Sequence, residues 1–246
     1  MKADREFFFG VHPVQEAIES GSEIDKILVR KDNQIQIIKD ILTRAYKLNI
    51  PIQKVPKEKL NAITGKNHQG IIAFLSRVHY ASLDHIISAS YGQGDDPILL
   101  MLDRITDVHN FGAIARTAEG LGFHAIIIPS KGGAMLNNEA VKISAGALMH
   151  IPVCRVKSLL STVSFLKHNG IRVIGCTEKS QNSIYETNLL GPTCLVFGSE
   201  SEGISKDLLE KVDEKVNIPM HGKVSSFNVS VSMAIAGSEL IRQRKV

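Results

Sequence analysis

"PILLMLDRITDVHNFGAIARTAEGLGFHAIIIP", residues 97–129, decides the fold class. It opens on a solid apolar run, Ile98 to Leu102, bounded by Pro97 and Asp103. Small and apolar residues at helical spacing follow from Asn110 to Gly122, and a second apolar run, Ala125 to Pro129, closes the unit. Strand, helix, strand with wholly apolar strands is the pattern of a mainly parallel sheet covered on both faces. The pattern continues outward to the C-terminus. "NNEAVKISAGAL" predicts a helix, "IPVCRV" a strand, "SLLSTVSFLKHNG" a helix, and "IRVIGCT" and "CLVFGSE" strands. "SKDLLEKV" predicts a helix, "EKVNIP" a strand, and a last helix is expected from about Asn228 to Arg242.

Towards the N-terminus the grain is finer. "HPVQEAIES" and "QIQIIKDILTRAYKLN" predict helices; "IDKILVR", "PIQKV" and "GIIAFLS" predict strands. These make a small α/β module over 1–75. Residues 76–96 read as a join, with a short helix in "SLDHIISAS" and the turn-rich "YGQGDDP". The second domain is expected over 97–246.

No apolar run reaches the roughly 18 residues that a membrane helix needs, and "MKADREFFFGVHP" has no signal-peptide core. A cytoplasmic protein is expected. Cys154, Cys176 and Cys194 form no CxxC pair and sit in apolar segments, the usage of buried free thiols rather than a metal site. The net charge of +4 is unevenly spread. Between Arg44 and Arg77 there are seven basic residues against one acid, Glu58, whereas from Ser76 onward 17 basic residues face 16 acidic ones. A basic N-terminal third suits a nucleic-acid backbone, and it also suits a plain solvated surface.

Ligands of open parallel sheets bind beyond the carboxyl ends of the strands. Four such loops stand out: 103–110, 177–180, 198–203 and 219–228. None carries GxGxxG or GxxxxGK[ST], and Glu200 and Glu202 in "FGSESEGIS" would repel a phosphate. A cationic, phosphate-free cofactor such as S-adenosylmethionine is electrostatically compatible with that loop, which is equally an ordinary turn and helix cap. Asn110 can cap the helix that carries Arg116. Arg116 reads either as a surface arginine or as a guanidinium for a phosphate. In "IPMHGKVSSFNVSVSMAIAG", Ser225, Ser226 and Asn228 are candidate helix caps, clustered beside an apolar strand end.

Together, N-x-G-x-x-x-R at Asn110–Arg116, "LVFGSESEG" at 195–203 and "IPMHGKVSSFNVSVSMAIAG" at 218–237 resemble the motifs of SpoU-type RNA ribose 2'-O-methyltransferases of the knotted SPOUT superfamily. "FFFGVHPVQEAI" and "NHQGIIAF" are similar to the RNA-binding module of a subgroup that resembles bacterial 23S rRNA (guanosine-2'-O-)-methyltransferases. The resemblance implies a deep trefoil knot in the C-terminal domain and a homodimer. It implies S-adenosyl-L-methionine as cofactor, held at Gly198, Ile218, Phe227, Thr177 and Met220, with Phe227 where the family usually has Leu. Arg116, Glu200, Ser226 and Asn228 match the family's functional positions, with Asn110 in support. Lys66, Asn67, His68 and Gln69 are the expected RNA contacts. The implied substrate is a guanosine ribose of 23S rRNA, free or in a ribosomal precursor particle. Methylation of tRNA ribose and a non-catalytic assembly role are the alternatives. No metal is expected.

Overall fold

The computed structural model describes residues 6–134, 136 and 138–244. The chain divides into two compact units: the first ends at His79 and takes in the stretch 136–138, and the second begins at Tyr80.

In the first unit the elements are β1 (Phe7–Phe9), α1 (Val11–Glu19), β2 (Ile24–Arg30), α2 (Gln36–Lys47), β3 (Ile52–Val55), α3 (Lys57–Asn61) and β4 (Ile71–Leu75). The sheet order is β1-β4-β2-β3. β2 and β3 pair in parallel, while β4 is antiparallel to both β1 and β2. Alternation along the strands splits the core into two layers. Ile27, Val29, Ile71 and Ala73 meet Val14 and Ile18 of α1 and Ile38 and Ile41 of α2 on one face. Leu28, Val55, Ile72 and Phe74 meet Leu60 of α3 on the other. β1 and α3 carry too few residues to show a period, and the sequence reading missed both.

The second unit contains α4 (Leu83–Gly92), β5 (Ile98–Leu102), α5 (Val108–Gly120), β6 (Ala125–Pro129), α6 (Asn138–Ile143), β7 (Val153–Val156), α7 (Leu159–His168), β8 (Arg172–Cys176), β9 (Thr193–Phe197), α8 (Lys206–Lys211), β10 (Glu214–Val216) and α9 (Val229–Arg244). The six-stranded sheet runs β10-β8-β9-β5-β6-β7, and all five neighbouring pairs are parallel. The mainly parallel sheet expected from residues 97–129 is the architecture of this unit. All five residues of β5 are buried, as in a strand covered on both faces. α4, α7 and α8 bury Leu83, Ile87, Val163, Leu166 and Leu208 on one side of it. α5 and α9 pack together on β9.

The short helix expected in "SLDHIISAS" is α4, and its Leu83 and Ile87 belong to the second unit's core. One expectation needs correction. The helix expected over "NNEAVKISAGAL" stops at Ile143. Ala145 and Gly146 take positive φ, 51° and 88°, before a 3-10 turn at Ala147–Met149. Close packing favours that stop. A Cβ on Gly112 of α5 would stand 2.6 Å from Ile143 Cγ2 and 3.2 Å from the Ser144 nitrogen. Among the described residues no helix is long and apolar enough to cross a membrane.

Candidate functional site

The strand order reverses between β5 and β9, and the carboxyl ends of β8, β9 and β10 open onto a pocket of about 340 Å³. Its walls are three loops. Cys176 to Lys179 follow β8, Phe197 to Gly203 follow β9, and Ile218, Met220 and Ser225 to Phe227 follow β10. The volume is within the range of small-molecule sites, roughly 300–1,000 Å³.

The loop after β9 is the tightest part. Gly198 is buried, and a Cβ there would stand 1.9 Å from the carbonyl carbon of Gly203 and 2.1 Å from the Ile204 nitrogen. Only glycine lets the two backbone strands lie this close. Gly203 takes φ 69° and its N–H donates to Ser199 O at 2.8 Å, closing the loop on itself. Glu200, exposed, is carried at its tip. After β8, the Thr177 N–H donates to Val216 O at 2.8 Å, and its Oγ1 accepts from Lys179 N at 3.3 Å. After β10, Asn217 ties the next wall down, donating from Nδ2 to Ser180 O at 2.7 Å.

Carboxylates dominate the lining: Glu178, Glu200 and Glu202 against the single cation Lys179. Glu202 is paired with Arg104 from the loop after β5. The lining suits a ligand that is cationic or neutral where it touches these loops, and disfavours a phosphate. Among the described residues no group of His, Cys, Asp and Glu is arranged to hold a metal ion.

Asn228 links the pocket rim to α5. Its Nδ2 donates to Asn110 Oδ1 at 3.0 Å and to the Glu200 carboxylate. Its Oδ1 accepts from Ser230 N at 2.9 Å and from Ser230 Oγ at 2.6 Å, capping α9. Both polar atoms are thus fully engaged, a placement that holds neighbours in position.

The fates of the sequence-predicted residues differ. Gly198, Ile218, Met220, Phe227, Thr177, Glu200 and Ser226 all line the one pocket. Phe227 is 40 % exposed, so its larger ring has an open side. Asn110 and Asn228 are tied to Glu200 but lie outside the lining. Asn110 is not the cap of α5: Asp107 is, its Oδ1 accepting from Asn110 N at 2.9 Å. That leaves the Asn110 side chain available to Asn228. Arg116 is exposed on α5 and has no hydrogen bond or ion pair among the described residues. Six residues along a helix place it about 9 Å from Asn110 along the axis.

In the first unit the expected RNA contacts separate into two kinds. His68 is 6 % exposed, with Nε2 2.8 Å from Asn61 Oδ1 and Nδ1 accepting from Gly70 N at 3.0 Å. Gln69 Oε1 accepts from Val11 N at 2.8 Å, at the start of α1. Both shape the loop 65–70, and His68 is too buried to reach a polymer. Lys66 and Asn67 are exposed, with Lys66 Nζ 5.8 Å from the Phe9 ring centre.

Sequence reasoning marked the loop 103–110 but did not single out Asp103 or Arg104 within it. The available signal was their place directly after β5, at the carboxyl edge of the sheet. It also passed over Cys176 and Lys179, which enter the lining only because β8 and β9 are neighbours in space.

An open parallel sheet with an acidic pocket built from its late loops defines an α/β protein with a small-ligand site at the carboxyl ends of its strands. Residues 97–238 match the SpoU rRNA Methylase family, and residues 7–81 match the module described as RNA 2'-O ribose methyltransferase substrate binding. A relative from Staphylococcus saprophyticus, assigned to the TrmH family of tRNA/rRNA methyltransferases, is 37 % identical over 96 % of this chain and 94 % of its own. Among solved structures, the SpoU methyltransferase AviRb from Streptomyces viridochromogenes, in complex with the cofactor AdoMet, has the same fold. Its TM-score is 0.62 at 23 % identity, over 98 % of this chain and 91 % of that one. The TrmH/SpoU tRNA modifying enzyme of A. aeolicus matches 61 % of this chain and 77 % of its own, with TM-score 0.57 and 28 % identity. The chain belongs to the SpoU family of RNA 2'-O-methyltransferases, as the motif resemblance implied.

Proposed function

We propose that this protein transfers a methyl group from S-adenosyl-L-methionine to the ribose 2'-hydroxyl of a guanosine in 23S rRNA. The observation that carries the reading is the convergence of Gly198, Glu200, Ile218, Ser226 and Phe227 on one pocket whose lining suits a sulfonium and disfavours a phosphate. Bound there, the cofactor supplies an electrophilic methyl on a positively charged sulfur. The chain's own residues supply position and a proton acceptor. The Gly198 loop and the 218–227 segment hold the adenosine by backbone and small side chains. Asn228 fixes the Glu200 carboxylate, and Glu200 takes the 2'-hydroxyl proton; it is the member of the set that is both in the lining and a base. Arg116 grips a phosphate of the RNA and orients the ribose, since a guanidinium stays protonated.

Lys66, Asn67 and the basic run from Arg44 to Arg77 serve the RNA backbone. The rRNA reading is favoured by the family description and by the first unit, with its match to a substrate-binding module. The tRNA-modifying neighbour matches only 61 % of the chain. Methylation of tRNA ribose is the second reading, favoured by the joint tRNA/rRNA description of the S. saprophyticus relative. The same proposal includes the cytoplasm as compartment, a trefoil knot and a homodimer. Val224 and Phe227 in the loop before α9 and Val231 in its first turn, 71, 40 and 44 % exposed, are apolar side chains that a second copy would cover. Sedimentation of a monomer at micromolar concentration would remove the dimer.

The test is incubation with radiolabelled S-adenosylmethionine and unmodified 23S rRNA, followed by alkaline digestion. Label in an alkali-resistant dinucleotide is expected, because a methylated 2'-oxygen cannot attack its phosphate. Label in tRNA alone would replace the substrate, and no transfer to either RNA would refute the reading.

A further inference from the structure

We propose that Asp103 and Arg104 are positioning residues for methyl transfer, a clamp that holds the loop after β9 in the shape the pocket needs. The inference rests on the cofactor-pocket reading above and assigns a function to a loop that does not line the pocket.

Asp103 is 5 % exposed at the carboxyl end of β5, and its Oδ2 accepts from Ser205 N at 2.7 Å. A buried carboxylate on a backbone N–H is a charge-assisted bond, stronger than one between neutral groups. Arg104 then turns the chain with φ 58°, a backbone conformation that L-residues other than Asn and Asp rarely take. The turn carries the guanidinium to the same loop. Nη2 donates to Gly203 O at 3.1 Å, Nη1 pairs with Glu202, and Nε stands 3.5 Å from Asp103 Oδ2. The two residues therefore grip three points within four residues, Glu202, Gly203 and Ser205. Between Gly198 and this grip lies Glu200, its path fixed by the Gly203 N–H on Ser199 O, the Glu202 N–H on Ser199 Oγ at 3.3 Å and the Asn228 amide on the Glu200 carboxylate. Releasing the clamp frees both Glu200 and the close approach of Gly203 to Gly198. Arg104 also offsets the charge of Glu202 in the same loop.

Arg104→Gly is the informative variant. Glycine accepts a positive φ without cost, so the backbone turn is kept or eased while the guanidinium is removed. Three measurements are made on the full-length protein: melting temperature, amide hydrogen exchange of residues 199–205 without cofactor, and equilibrium binding of radiolabelled S-adenosylmethionine. The expected result is an unchanged melting temperature, with faster exchange across 199–205. Cofactor binding should weaken about tenfold, the scale of one lost hydrogen bond to a charged group, while the KM for RNA stays as it was. Arg104→Lys should recover part of the affinity by restoring the charge near Glu202. Exchange and cofactor affinity equal to the parent protein's would overturn the clamp. If the parent itself binds no S-adenosylmethionine, the pocket reading fails instead. Faster exchange in Arg104→Gly would still establish the clamp as a property of the loop.

Discussion

A single hydrogen atom decides the pocket. Replacing the Gly198 hydrogen by a methyl places it 1.9 Å from the Gly203 carbon, and both atoms belong to backbone that cannot swing away. Gly198→Ala is expected to abolish S-adenosylmethionine binding, measured by calorimetry, and to lower the melting temperature. Asn228 acts at the same scale through four hydrogen bonds. Glu200→Gln should stop turnover, with a modest loss of cofactor affinity because one lining carboxylate is neutralised. Arg116→Ala should stop turnover and spare cofactor binding, since Arg116 lies outside the lining. Turnover near the parent's in either variant, in a single-turnover assay, would remove that residue from the mechanism. The thiols make a separate prediction. Burial pushes Cys154 up from 9.0 to about 12, and raises Cys176 and Cys194 as well. Each folded thiol holds its proton above the pH at which an unfolded thiol loses it. The stability they contribute is present below pH 9 and is lost as pH climbs from 9 towards 12, by about 1.4 kcal/mol per pH unit per thiol at most. Denaturant midpoints should fall across that window, and Cys154→Ala should flatten the fall.

Elements matter here through their ends. α5 begins at Val108 because Asp107 can accept from the Asn110 N–H. Asp107→Ala is expected to cost about 1 kcal/mol of stability, a drop of roughly 2–4 °C in melting temperature for a chain of this size. A larger loss of activity than that drop explains would show that the cap also sets Asn110 against Asn228. The helix starts at Ser158 and Asn228 were legible, because small polar residues precede apolar periodic runs, whereas the start after Asp107 was read three residues late, at Asn110. The choice between Asp107 and Asn110 was not legible. Both are good caps in sequence, and only the path of the chain after β5 tells which side chain faces the open N–H groups. The break at Ala145 was hidden for a related reason. "NNEAVKISAGAL" reads as one helix, but the chain turns with positive φ at Ala145 and Gly146, just past where Gly112 of α5 packs on Ile143 and Ser144.

On the scale of the whole molecule, the proposed function divides labour between the two units. Removing residues 1–75 should leave S-adenosylmethionine affinity near the parent's and reduce selectivity for rRNA, read by competition between 23S rRNA and unrelated RNA. Unchanged selectivity would refute that division. RNA affinity of the full chain should fall linearly in log–log terms with salt, as phosphate contacts require, whereas cofactor affinity should hardly move. Lys66→Ala should lessen the salt slope. His68→Ala should instead lower the stability of the first unit, because its ring is buried between Asn61 and Gly70.

The sequence by itself determined the class of fold, and its motif resemblance pointed to seven residues that line the pocket. Apolar strands of near-constant length can only be satisfied between two helical layers, and glycine, serine and asparagine at strand ends mark where a backbone must bend close to a ligand. Only the tertiary structure decided which of those residues meet. Asn110 and Asn228 are 118 positions apart, and Asp103 and Ser205 are 102 apart. Such pairs arise because β5 and β9 lie side by side in the sheet. Strand order is a long-range packing choice that no local spacing encodes, and it brought Arg104 to the pocket loop and left Arg116 exposed outside the lining.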